Sequence, residues 1–153
     1  MRNERPPTNE LPVFGEARSG HVYRERAGAY ALIRSADGCL AIVEGAHGRL
    51  FLPGGGHDAG ETDAAALRRE VAEECGWGIE PGPVLGEAVQ YVRAGAEGDF
   101  RLHVRYYPAR IVAEDIGPAE HSVFWLTLAE AARRLHRACD RWIVGTLAEA
   151  AKG

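Results

Sequence analysis

Between Thr62 and Gly76 three glutamates stand at helix spacing, and no other feature of the chain restricts its fold so much. Glu70, Glu73 and Glu74 occupy positions i, i+3 and i+4, so a helix projects all three carboxylates from one face within a turn. Thr62 is a favourable N-cap, Asp63 suits the positive end of the helix dipole, and Gly76 is a natural stop. Ala64, Leu67 and Val71 give the same helix a neighbouring face suited to a core. The preceding run, Pro53-Gly54-Gly55-Gly56, is expected to end a short strand and to permit backbone approaches that a side chain would block.

Like charges spaced this way destabilise a helix by roughly 0.2–0.5 kcal/mol per pair. The arrangement gains only when a cation arrives, and clustered oxygen ligands suit Mg²⁺ or Mn²⁺. Mg²⁺ commonly takes one or two protein carboxylates and completes its shell with water and substrate phosphates. The competing reading is a solvated helix face rich in Glu, the default for an acidic triplet without context.

The chain of 153 residues fits one domain with one sizeable core. A net charge of −4 argues against a binder of nucleic-acid polymer, which would carry surplus Lys and Arg. A small phosphorylated substrate remains compatible, because divalent cations mediate between carboxylates and phosphate. No apolar stretch approaches the ~20 residues that cross a bilayer, and MRNERPPTNELP has no apolar core of a signal peptide. Cys39, Cys75 and Cys139 are odd in number and widely spaced, which suggests neither disulfides nor zinc, and a reduced cytoplasmic setting is expected.

Residues 1–20, with Pro6, Pro7 and Pro12, read as an extended arm rather than a packed element, and residues 21–153 as the domain. GAYALIR and CLAIVE, around the turn signal Asp37-Gly38, predict a hairpin, followed by a short strand from Arg49 to Leu52. Val84 to Arg93, Phe100 to Ala113 and Val123 to Leu126 also read as strands. In the second of these, Phe100, Leu102, Val104 and Tyr106 alternate with Arg101, His103, Arg105 and Tyr107. Leu128 to Ala151 is helical in pattern, with a break expected near Cys139-Asp140. Mixed strands with two helical regions predict an α/β layered domain.

Context changes the reading of the acidic triplet. From Gly55 the chain runs through five residues to Glu61, seven more to Arg69-Glu70-Val71, then Ala72, Glu73-Glu74, Cys75, Gly76 and Trp77. This resembles the Nudix signature, G-x5-E-x7-R-E-apolar-x-E-E-x-G-apolar, at every fixed polar or glycine position. Seven such positions coincide by chance about once in 10⁹ starting points at about 5% usage per residue. Trp77 stands where Ile, Leu or Val is commoner, and Asp58 where many members have Glu. Neither departure touches the acids. The resemblance implies an α/β/α sandwich around a mixed β-sheet.

It also implies roles by position. The carbonyl of Gly55 and the carboxylates of Glu70, Glu73 and Glu74 are expected to bind Mg²⁺, with Mn²⁺ as a substitute. Glu61 and Arg69 match a pair that braces the loop against the helix, so that Arg69 orients Glu70. The reaction implied is attack of water on a diphosphate, in a small phosphorylated molecule such as a nucleoside triphosphate, oxidised ones included. The general base is Glu70 or a loop acid, for which Glu120 is the candidate ahead of Glu114 and Asp115; a plain surface role for Glu120 weighs equally. Arg101, His103 and Arg105 are candidates for substrate contact, against a solvated strand face. His57 is expected at the surface, Cys75 as a small packing residue, and Tyr106, Trp125 and Trp142 in the core. Homodimers are common in the family.

The competing function is a catalytically silent ligand sensor on the same fold, which normally lacks one of the metal acids. An isomerase on this scaffold is the remaining alternative; such relatives carry catalytic Cys and His residues and longer chains.

Overall fold

A computed structural model describes residues 11–93 and 98–152. The strands are β1 (Val13–Phe14), β2 (Tyr23–Ile33), β3 (Leu40–Glu44), β4 (Leu50–Phe51), β5 (Gly54–Gly56), β6 (Gly78–Pro81), β7 (Gly86–Arg93), β8 (Asp99–Ala113) and β9 (Ser122–Leu126). The helices are α1 (Asp63–Cys75), α2 (Leu128–Arg134) and α3 (Ala138–Ala151). No helix among the described residues is long and apolar enough to cross a membrane.

One sheet runs β1-β7-β8-β2-β5, with β6 also on β8; a smaller one runs β4-β3-β9. The larger sheet is mixed: β1 and β7, and β2 and β8, pair parallel, while the others pair antiparallel. The long β8 follows the predicted alternation, burying Phe100, Leu102, Val104 and Tyr106 while the residues between stay partly exposed.

Helices cover both faces of this sheet, so the architecture is the expected α/β/α sandwich. On one side Leu67, Val71 and Cys75 of α1 pack on Ala29, Ala31, Ile33 and Ile79. The small Ala29 and Ala31 let the helix lie close to β2. Full burial of a side chain of the size of Leu67 or Val71 stabilises by about 1.5–3 kcal/mol. On the other side Leu128, Ala131, Leu135, Ile143 and Val144 cover Leu32, Leu102, Val104 and Tyr106.

Several expectations are corrected. The hairpin of β2 and β3 is reduced to one bridge, Arg34 to Leu40. Both edges of β2 are already taken, by β8 over eleven residue pairs and by β5, so β3 is left to pair with β4 and β9. The glycines do not simply end a strand; Gly54–Gly56 is itself one, paired with Gly28, Ala29 and Tyr30. The helical break falls earlier than Cys139-Asp140: Leu135 is extended, and the carbonyls of Leu135 and His136 each accept from Arg141 at 2.8 Å. Within the expected arm, Pro6 and Pro7 lie outside the described residues. Val13 and Phe14 are paired to Val89 and Gln90 rather than unpacked. Pro12 lacks an N–H, yet its carbonyl accepts from the Val89 amide at 2.9 Å. Trp125 is 39% exposed and stacks on Trp77 with ring centroids 5.7 Å apart, whereas Tyr106 is fully buried.

Candidate active site

Helix α1 is anchored at both ends by the chemistry its sequence offers. Thr62 accepts from the Ala65 amide at 3.1 Å, and Gly76 takes the left-handed conformation, φ 72°, that releases the chain. The loop after β8 then folds back on the helix end. Its amides at Ile116, Glu120 and His121 donate to the carbonyls of Gly76, Glu73 and Glu74, at 3.0, 3.0 and 3.2 Å. Carbonyls that a helix end leaves unsatisfied are thereby paired. The same bonds carry Glu120 to the acidic face of α1.

The glycine strand meets that face. The Gly54 amide donates to Glu74 Oε1 at 2.8 Å in a buried bond. A β-carbon on Gly54, whose φ is +139°, would lie 2.3 Å from the Ala29 carbonyl oxygen. One on Gly55 would lie 2.6 Å from Glu70 Cδ. The missing side chain is what lets the Glu70 carboxyl rest against the strand.

Arg69 ties the loop to the helix. Its Nε and Nη2 donate to the two oxygens of Glu61 at 2.8 Å each, Nη2 also reaches the Gly56 carbonyl at 3.1 Å, and Nη1 donates to Glu70 at 2.9 Å. Asp58, at 3.3 Å, and Glu73, at 3.5 Å, are further ion-pair partners. Arg69, and then the Asp58 amide, hold the Glu61 carboxyl down to about 2. Glu70 moves the other way, because its partial burial outweighs the attraction of Arg69. Glu74 is pushed up to about 8, first by burial and then, against the Gly54 bond, by repulsion from Glu70, Glu120 and Glu73. A 9% exposed carboxyl facing three other acids keeps its proton until a cation supplies a counter-charge for the ionised form.

Among the described residues no three Asp, Glu, His or Cys side chains converge on a single point. Glu70 is turned to Arg69 and Glu74 to the Gly54 amide. The residues nevertheless fit a hard divalent cation: the donors are oxygens, the acids crowd one another, and Gly55, without a side chain, leaves room for the Glu70 carboxyl against the strand.

A cavity of about 220 Å³ opens beside Glu74 and Gly54, lined also by Tyr30, Phe51, His121 and Arg137. None of these four was singled out from the sequence. Their signal lies in tertiary contact, since Arg137 follows Tyr30 by 107 residues yet donates to its hydroxyl at 2.9 Å. Arg101, His103 and Arg105 do not line this cavity. They sit on the opposite face of β8 from the Tyr106 core, paired to Glu25 at 3.1 Å, Glu87 at 3.0 Å and Asp63 at 3.4 Å respectively. His57 is not a plain surface residue: its Nε2 is 2.6 Å from Asp63 Oδ1, though misaligned for a hydrogen bond. With Asp63, Arg105 and Tyr107, whose hydroxyl donates to Asp63, it borders a larger cavity of about 630 Å³ that contains none of Glu70, Glu73 and Glu74. Cys75 is buried against the α1 core.

Comparison with known proteins agrees with this fold. Residues 22–144 match the family model described as the NUDIX domain. No curated protein matches. Among solved structures, the chain is similar to a MutT protein from Methanosarcina mazei Go1, at 23% identity, covering 86% of this chain and 98% of that one with a TM-score of 0.67. A MutT NUDIX hydrolase from Burkholderia pseudomallei is similar at 24% identity over 80% and 97% of the two chains, TM-score 0.64. An ADP-ribose pyrophosphatase from Streptococcus suis 89-1591 is similar at 18% identity over 68% and 75%, TM-score 0.52.

Proposed function

The chain belongs to the Nudix family, and on that premise we propose that it is a Mg²⁺-dependent hydrolase of the diphosphate bond in a nucleoside diphosphate linked to another moiety, nucleoside triphosphates included. The observation that carries this reading is Glu74, a buried carboxylate that faces Glu70, Glu73 and Glu120 at the mouth of a cavity. Such a group is stabilised most simply by a cation. The names of the similar structures, which include an ADP-ribose pyrophosphatase, are compatible with diphosphate substrates of several kinds.

Gly55 through its carbonyl, with Glu70, Glu73 and Glu74, would hold Mg²⁺ or Mn²⁺. When bound, the ion neutralises charge developing on the phosphate oxygens and acidifies water. The remaining steps belong to the chain. Arg69 holds the Glu70 carboxyl in place while its own charge is absorbed by Glu61, a supporting role in which losses of about 10–100-fold are typical. Water attacks phosphorus, the phosphorus–oxygen bond of the anhydride breaks, and Glu120 accepts the proton of the attacking water. Glu120 suits this better than Glu70, because its side chain is exposed and takes no hydrogen bond among the described residues, whereas Glu70 is engaged by Arg69.

The test is hydrolysis of a panel of nucleoside triphosphates and nucleoside diphosphate conjugates with Mg²⁺ or Mn²⁺, with products identified to place the broken bond. Metal-dependent cleavage that falls at least about 100-fold in Glu74→Gln, in the range known for removing a preorganised charge, supports the reading. Cleavage of none of them, or cleavage indifferent to that substitution, favours the silent sensor.

A further inference from the structure

Beyond Phe51 the cleft continues into a second cavity, of about 440 Å³, whose walls are unusually basic. Phe51 and Arg137 border both this cavity and the one beside Glu74. Arg137 is therefore the common wall between the acidic end of the cleft and its far end. Arg49, Arg93 and Arg141 complete the far end, with His136 packed edge-on to Phe51 at 5.6 Å between ring centroids.

The charges here are unbalanced in the sense opposite to the glutamates. Among the described residues, none of Arg49, Arg93, Arg137 and Arg141 forms an ion pair within 4.0 Å, although Arg68, Arg69, Arg101 and Arg105 all do. Arg137 is instead satisfied by a neutral hydroxyl, Tyr30, and by the faces of Tyr30 and Phe51 at 5.4 and 5.0 Å. Arg141 spends its hydrogen bonds on the Leu135 and His136 carbonyls. Asp140, the carboxylate close by, attracts Arg137 and Arg141 but makes no ion pair with them; it is turned into the core, where burial raises its carboxyl and its Oδ1 accepts from Tyr106 at 2.6 Å. Burial first, and then the charges of Arg49, Arg137 and Arg141, lower the His136 imidazole from its ordinary value.

Local preference is also broken. Arg137 stands at the N-cap of α3, where Ser, Thr, Asp or Asn is favoured and a cation faces the positive end of the dipole. A chain that crowds arginines against one another and against local preference is stabilised when an anion enters. Guanidinium groups are matched to phosphate, which they bind through paired, charge-assisted hydrogen bonds.

We propose that this pocket is a phosphate subsite: the preferred substrate carries a further phosphate group, remote from the diphosphate that is cut, and Arg49, Arg137 and Arg141 receive it with Phe51 and His136 lining the path. The assignment rests on the reading of the Glu74 cavity as the diphosphate site. It separates substrates by charge at their far end, a property that neither the acids nor the glycine strand can supply.

Inorganic pyrophosphate in EDTA tests the subsite without hydrolysis, because without metal the glutamates repel the anion and the basic pocket attracts it. Calorimetry is expected to detect binding to the wild-type protein, weakened about tenfold or more by Arg49→Gln with Arg141→Gln, the loss of about one charge-assisted contact. Arg133→Gln, which removes an exposed charge from α2, serves as the control. If the double variant fails to fold by circular dichroism, Arg49→Gln alone decides, since Arg49 is exposed. A second arm compares two substrates alike except for one distal phosphate. The wild type favours the phosphorylated one in kcat/KM, and the double variant loses at least about tenfold of that ratio. Absent pyrophosphate binding, binding equal in the double variant, or an unchanged ratio overturns the subsite. Failure of all metal-dependent hydrolysis would overturn the proposed function instead, and the binding result in EDTA would still stand for or against the pocket.

Discussion

A β-carbon on Gly55 would stand 2.6 Å from Cδ of Glu70, whereas one on Gly54 would stand 2.3 Å from the backbone oxygen of Ala29. Neighbouring glycines are thus required for different reasons. Gly55→Ala displaces a side-chain end and leaves the backbone free, so melting temperature should change little while hydrolysis falls about 100-fold, as for a misplaced catalytic group. Gly54→Ala meets backbone at a φ of +139° and should destabilise the fold by about 1–3 kcal/mol or more. Thermal melts beside rate measurements separate the two; equal losses of stability would contradict the distinction.

Arg69 is the hinge between the Glu61 loop and Glu70. Arg69→Ala is expected to lower kcat/KM about 10–100-fold and to raise the Mg²⁺ concentration needed for half-maximal rate. Arg69→Lys should recover little, because a point charge cannot span two Glu61 oxygens, Glu70 and the Gly56 carbonyl. Metal titrations of the rate check this, and an unchanged metal requirement in both variants would remove Arg69 from the account.

Glu61 gives the fold an acid limit. Its carboxyl is held at about 2 in the folded chain, by Arg69 first, against an ordinary 4.5. A depressed carboxylate contributes stability that is present above the unfolded value and lost as pH falls from about 4.5 through about 2. Urea midpoints across that window should fall in the wild type and fall less steeply in Glu61→Gln. Parallel curves would show that the bond adds nothing to stability.

Glu74 gives the metal-free protein an alkaline limit. Its folded value is raised to about 8, burial being the chief cause, so the stability is complete below the unfolded 4.5 and is lost as pH rises through about 8. In EDTA, Glu74→Gln should therefore melt higher than the wild type above about pH 8 while being slower as an enzyme. A variant that is less stable there would contradict the burial argument.

The acids, the glycines and the Glu61–Arg69 pair could be read from the chain because they lie within 23 residues and obey a helix period. Helix α1 and the alternation of β8 were legible for the same reason, since local spacing determines them. What escaped was long-range. Leu40–Glu44 has the pattern of a strand whatever its partner, and the competition of β8 and β5 for β2 is not written in either segment. Likewise Tyr30, Phe51, His121 and Arg137 come from four separate elements or loops, and their meeting beside Glu74 depends on the packing of both layers. Arg101, His103 and Arg105 looked available because their acidic partners, Glu25, Glu87 and Asp63, are distant in sequence.

Anomalous diffraction from crystals soaked in Mn²⁺ would locate the ion among the acids of α1. A peak is expected between Glu70, Glu74 and the Gly55 carbonyl, weakened or lost in Glu74→Gln. An ordered, folded pocket without manganese at those atoms, under concentrations that support catalysis, would rule out these acids as the metal site.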